Sequence, residues 1–327
     1  MNKFSPLIPL LIPSFSSKGN LLIPRKDGTY VSDNYELLQV LDVRVSNSYL
    51  VSAYDVFYGY MPQDPNEWPN TDYLFIDSGG YEISDTYDLS ERNKFNYKVH
   101  PWDIDKMKQV YHTVTSCPKF SNSTIVLSGF DLLGPFEDQL TSILKLAEEY
   151  PNALVNFIIK PVFPFEHLLE CIKENIETLH SIPILGLTEK ELGDTVQKRL
   201  LNLISLRKLL DSLNWNGKIH IFGGLEPNLS ILYYFAGADI FDGLSWQRMR
   251  YQTNSTLWDP FLYNISRDEF ENKYLMMIDN LSALRDLSNN LSCEQDNRSN
   301  NMSQLEELLK DTELTISNII SELEGQP

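Results

Sequence analysis

Two aspartates each cut off an apolar run: Asp77 in "YLFIDSGGYEIS" and Asp242 in "GADIFDGLSW". A short apolar run that stops at an acidic residue is how a buried strand ends, and carboxylates at two strand ends of one barrel would converge on a common mouth. Such a pair can divide glycosidic chemistry into two displacements, one carboxylate attacking the sugar carbon while the other handles the proton. Each aspartate also has a simpler explanation. Asp-Ser-Gly-Gly is ordinary turn chemistry, because Asp and Ser hydrogen-bond nearby backbone and Gly accepts positive φ. A strand-end aspartate such as Asp242 can equally cap a helix.

The elements that would carry these residues are legible as short apolar runs, each ending at a polar or glycine position. They are "IPLLIPSFSS", "YLFIDSGG", "STIVLSGFD", "LVNFIIKP", "IPILGLTE", "IHIFGG" and "ADIFDG". Between them "FEDQLTSILKLAEEY", "FEHLLECIKENIETL" and "VQKRLLNLISLRKLLDSL" show apolar spacings of three and four, the mark of amphipathic helices. Strands alternating with helices predict a parallel sheet with right-handed crossovers. The expected strand ends are Asp77, Asp131, Lys160, Leu187, Phe222 and Asp242. Their intervals each suit one strand–helix unit, except the first, which suits two. About eight strands in about 250 residues predict an α/β fold, a (β/α)8 TIM barrel whose site gathers at the C-terminal strand ends. A doubly wound open sheet is the alternative, but neither G-x-G-x-x-G nor a P-loop occurs.

Past residue 285 the composition changes. The barrel is expected to span 1–285, a polar linker rich in Asn and Ser 286–301, and an acidic amphipathic helix 302–327. Met302, Leu305, Leu309, Thr312, Ile316, Ile319 and Leu323 form a heptad stripe along that helical tail. It either docks on its own barrel or supports a homodimer or a partner protein's helix.

A chain of 327 residues, 42% of them hydrophobic, buries a large core. Cys117, Cys171 and Cys293 lie far apart, so no disulfide framework or cysteine-rich zinc site is indicated, and a reducing, cytoplasmic setting is expected. Pro6, Pro9 and Pro13 interrupt the first apolar stretch, which predicts extended structure entering the fold, neither a signal peptide nor a membrane span. His100, His112, His167, His180 and His220 show no metal-ligand clustering and are assigned structural roles. The net charge of −18 repels nucleic acid unless a local basic patch or a partner compensates.

With those motifs in place, residues 5–285 resemble the tRNA-guanine transglycosylases, which exchange a nucleobase in a polynucleotide for a 7-deazaguanine. "DSGGY" is similar to the family's D-S-G-G-F/Y, implying Asp77 as general acid/base, Ser78 and Gly79 at the base, and Tyr81 stacked on it. "SGFD" resembles a strand ending in A-F-D, implying that Asp131 hydrogen-bonds the base edge. "ILGLTEKE" resembles G-G-L-A-V-G-E, which puts Gly186 and Leu187 beside the base and Glu191 near a 7-substituent. "IFGGLEP" resembles L-M-G-V-G-x-P, with Phe222 and Gly223 opposite Tyr81. "GADIFDGLSWQRMR" resembles G-x-D-x-F-D-C-x-x-P-T-R, implying Asp242 as nucleophile and Arg248, with Arg250, at the polynucleotide. Residue chemistry agrees, since a planar purine needs two flat walls and a few fixed hydrogen-bond partners.

The departures point to a branch. The family's structural zinc is held by C-x-C-x-x-C and a later histidine, but "RYQTNSTLWDPFLYNISRDEFENKYLMMIDNL" has neither residue type, so no metal and no cofactor is expected. Lys160 in "IKP" stands where the family has a glutamine, and an ammonium donates but cannot accept. In character the chain is closest to zinc-less relatives that act on DNA. The expected partners are therefore DNA and a free 7-deazaguanine base, through a covalent aspartyl-nucleotide. The same reaction on tRNA and a non-catalytic nucleobase- or nucleic-acid-binding subunit are the alternatives.

Overall fold

The computed structural model describes residues 6, 8–18, 22–24, 30–32, 34, 37–38, 47–84, 99–161, 164–252, 255–257, 269–310 and 315–324. Eight strands form one sheet: β1 (Leu10–Pro13), β2 (Ser48–Ser52), β3 (Tyr73–Asp77), β4 (Thr124–Ser128), β5 (Leu154–Ile158), β6 (Ile184–Thr188), β7 (Lys218–Phe222) and β8 (Ile240–Gly243). Their order is β1-β8-β7-β6-β5-β4-β3-β2, and the strands run parallel. Ser14, just past β1, bridges Leu50 of β2, and the Phe15 amide donates to the Leu50 carbonyl at 3.1 Å. The two edge strands therefore meet, as a (β/α)8 barrel requires.

Helices follow the strands: α1 (Ile104–Thr115), α2 (Phe136–Glu149), α3 (Phe165–Glu174), α4 (Val196–Ser212) and α5 (Pro227–Phe235). The tail is α6 (Glu269–Cys293), α7 (Arg298–Leu308) and α8 (Ile316–Glu324). Contacts divide the chain into two compact units. One comprises Met1–Ile12, Gly134–Phe136 and Ile159–Pro327; the other comprises Pro13–Leu133 and Glu137–Ile158.

Several expectations are corrected. The long interval before Asp131 holds one strand–helix step, not two, and the eighth strand is β2. Its sequence, SYLVS, hides its burial behind polar letters: Ser48 and Ser52 are buried along with the Tyr49–Val51 stretch. Helix α5 also escaped notice, because Ser230 to Phe235 is buried on every side and shows no amphipathic period.

A further correction concerns the expected linker at 286–301, which is helical. Helix α6 runs through to Cys293 and α7 begins at Arg298. Arg298 explains the docking: Nη1 meets Asp239 Oδ1 at 2.8 Å, Nε and Nη2 donate to the Tyr234 and Ala238 carbonyls, and the guanidinium lies 4.4 Å from the Tyr234 ring. Polar letters thus mark an anchor to a buried aspartate. The heptad stripe is not carried by one helix either. Leu305, Leu309, Ile319 and Leu323 are buried, and α7 and α8 pack on α5 of the same unit. Thr312 lies outside the described residues.

Candidate active site

The candidate residues divide between the two units. In the unit containing β3, Asp77 closes the strand and its Oδ2 accepts from the Gly79 amide at 3.1 Å, so the turn chemistry expected of Asp-Ser-Gly-Gly is present. Gly79 has φ +93, and a Cβ there would lie 2.7 Å from Tyr54 Cβ and 2.9 Å from Trp102 Nε1. The Trp102 indole also donates to the Ser78 carbonyl at 2.8 Å, which braces the turn from outside.

Asp131, a little beyond the end of β4, is brought onto this turn. The Ser78 hydroxyl donates to Asp131 Oδ1 at 3.2 Å. A Cβ at Gly80 would fall 1.9 Å from Asp131 Oδ2, so the carboxylate occupies the space that the missing side chain leaves. Ser78, Gly79 and Asp131 are therefore one constellation. Tyr81 follows on the short helix Gly80–Ile83, more than a third of its surface exposed.

Behind the turn lies a buried polar network that the sequence reading missed. Glu82 accepts from the Ser16 hydroxyl at 2.5 Å and from the Ser52 hydroxyl at 2.7 Å. Asp55 accepts from the Ser17 amide at 2.6 Å and from the Ser17 hydroxyl. Lys18, wholly buried, donates to the Tyr81 and Ser84 carbonyls at 3.1 and 2.7 Å, and its ammonium lies 4.8 Å from the Tyr81 ring. Burial pushes the Asp55 carboxyl well up, with the charges of Glu82 and Asp77 adding to the shift. Burial also raises Glu82, against the serine hydrogen bonds and the Lys18 charge, which pull it down. The signal that could have found this network is the polar string "SFSSK" directly after an apolar run, one more strand end with chemistry on it.

In the other unit, Asp242 occupies the next-to-last position of β8 and is buried. Its Oδ1 is held by two groups of β7 and the residue after it: His220 Nε2 at 3.2 Å and the Gly223 amide at 3.3 Å. A carboxylate only accepts, so the imidazole N–H donates. His220 is wholly buried, and its ring stacks on Phe222 with centroids 4.0 Å apart. Phe222, assigned to a wall of the base slot, thus has one neighbour in place. His220 was read as merely structural, but side-chain alternation along β7 puts positions 220 and 222 on the same face.

Gly186 and Leu187 lie within β6 and are buried; Gly186 pairs in register with His220, and its carbonyl accepts from the Ile159 amide at 2.9 Å. Lys160 and Glu191 come together, Nζ to Oε1 at 3.2 Å. Glu191 is also the acceptor for the Thr188 amide in a capping box on the helix Glu189–Leu192. Its carboxylate is thus engaged with the backbone as well as with the lysine.

Arg248 ends the short helix Ser245–Arg248 and is buried, whereas Arg250 is half-buried at the start of a two-stranded ribbon, Arg250–Gln252 with Ser255–Leu257. Among the described residues no group of three or more His, Cys, Asp or Glu is arranged to hold a metal. In the stretch assigned to a lost zinc site, residues 253–254 and 258–268 lie outside the described residues. No protein-family model matches the chain, and no curated protein sequence matches it.

Proposed function

We propose that the protein is a base-exchange transglycosylase that replaces guanine in DNA by a 7-deazaguanine derivative. The observation that carries this is Asp242: a buried strand-end carboxylate with one oxygen held by two N–H donors, beside an aromatic pair. A carboxylate oriented by donors and shielded from bulk water is suited to attack a sugar carbon. In the first displacement an Asp242 oxygen bonds to C1′ as the C1′–N9 bond breaks. The electron pair leaves on N9, and Asp77, which closes another strand of the same parallel sheet, supplies the proton. In the second, Asp77 takes the proton of the incoming base, whose nitrogen attacks C1′ and releases Asp242. The turn that carries Asp77 also carries Ser78, whose hydroxyl meets Asp131 from beyond β4, a hydrogen-bonding edge of the type a purine needs.

Incubating the protein with labelled guanine and either DNA or tRNA tests the proposal. Label is expected in DNA, with ping-pong kinetics, and is expected to vanish in Asp242→Ala. Asp242→Asn keeps an acceptor for the His220 and Gly223 N–H groups, so it should fold and bind free base while failing to exchange. Label in tRNA alone would move the substrate. Label in neither, or full activity in Asp242→Ala, would overturn the proposal.

A further inference from the structure

The strand pair that positions Asp242 also carries a group with no role yet in the reaction. In the register of β7 with β8, His220 lies opposite Ile240 and Ile221 opposite Phe241. Side chains alternate along strands, so His220, Phe222, Ile240 and Asp242 share one face. The imidazole reaches along that face to Asp242, and the backbone amide of Gly223 reaches the same oxygen from the end of β7. The Leu225 amide, in turn, donates to the Asp242 carbonyl at 3.1 Å, so side chain and backbone of this aspartate are both tied to the β7 end.

A wholly buried imidazole is unfavourable unless its polar atoms are matched, and aliphatic side chains fill such positions more cheaply. The partner of this one is the carboxylate proposed to attack the sugar. We infer that His220 is a positioning residue for Asp242: its N–H sets the orientation of the carboxylate. The inference rests on the reading of Asp242 as nucleophile. It assigns His220 no contact with the substrate and no proton transfer.

The geometry gives the role a specific signature. Loss of the N–H removes the side-chain donor and keeps the Gly223 amide on that oxygen, and a carboxylate turned away from its productive geometry loses rate, whereas a leucine at 220 still gives Phe222 an apolar neighbour. Misplacement of a reacting group by about 1 Å can lower a rate about 100-fold. Comparing His220→Leu with His220→Gln tests this, with exchange of labelled guanine measured per folded molecule. The expected result is a fall in kcat of about 10- to 100-fold for His220→Leu, with KM for the free base unchanged. His220→Gln retains an N–H at similar reach and should recover most of the rate. A His220→Leu protein that melts earlier but exchanges normally per folded molecule would overturn the inference, as would equal losses in both variants. A wild-type protein inactive on DNA and tRNA would overturn the reaction itself, an outcome distinct from an active wild type insensitive to His220.

Discussion

Asp77 is the residue at which two chemistries compete. Its Oδ2 stabilises the turn by accepting the Gly79 amide, and the proposed reaction requires its proton. Asp77→Asn separates the two, because the amide oxygen of asparagine can still accept from Gly79 while the side chain can no longer ionise. The expected outcome is a near-normal melting temperature and a 10²–10⁴-fold loss of exchange, roughly 3–5 kcal/mol of barrier, measured per folded molecule. Equal activity in the variant would leave Asp77 with the turn alone. Gly80 belongs to the same scale: any side chain there meets the Asp131 carboxylate, which explains why the second glycine of the pair is a glycine.

At the scale of elements, the network behind this turn ties three strand ends together. Ser16, Ser17 and Lys18 follow β1, Ser52 and Asp55 follow the course of β2 into the helix Ala53–Phe57, and Glu82 lies on the helix after β3. The charges of Glu82 and Asp77 act to raise Asp55, and the Lys18 charge acts to lower Glu82. The folded state raises both carboxyls above their unfolded values. Their contribution to stability is therefore fully present below the unfolded value, near pH 4, and is lost as pH rises through the folded value. Glu82→Gln removes that loss while a glutamine can still bond both serines, one as acceptor and one as donor. The variant should match the parent near pH 4 and exceed it increasingly toward neutral and alkaline pH. Within the window, ionisation of one group weakens the parent by about 1.4 kcal/mol per pH unit. Melting temperatures across that range check this, and a difference independent of pH would show that Glu82 ionises as freely in the fold as out of it.

For the whole molecule the governing quantity is the net charge of −18. Overall charge opposes binding to a polynucleotide, so the proposed reaction requires that phosphates meet a minority of cations close to the site or a surface supplied by a partner. Arg248 and Arg250 were both assigned to that task, yet Arg248 is buried and Arg250 half-buried. Arg250→Ala is accordingly expected to weaken DNA binding at all sequences and to reduce the salt slope by about one. Arg248→Ala should lower the melting temperature and leave the slope unchanged. Binding titrations over a range of salt, together with thermal melts, distinguish the two arginines. The reverse pattern would place the phosphate contact at Arg248. Among the described residues no helix is long and apolar enough to cross a membrane.

The alternation of apolar runs and amphipathic helices was sufficient for the (β/α)8 fold, because burial on both faces of a parallel strand leaves a continuous apolar run that needs no partner to be read. The strand-end positions of Asp77 and Asp242 followed from the same runs. Other features are set by partners distant in sequence. β2 is disguised by serines whose hydroxyls are satisfied only in the folded chain, as the Ser52–Glu82 bond shows. The segment 286–301 reads as a linker until Arg298 finds Asp239. His220 looks like any core histidine until the pairing of β7 with β8 brings Asp242 within 3.2 Å of it. Local pattern records the apolar part of the core, since an apolar run is written in each residue's own polarity. Which polar groups meet once buried depends on register and crossover, and these exist only in the folded sheet.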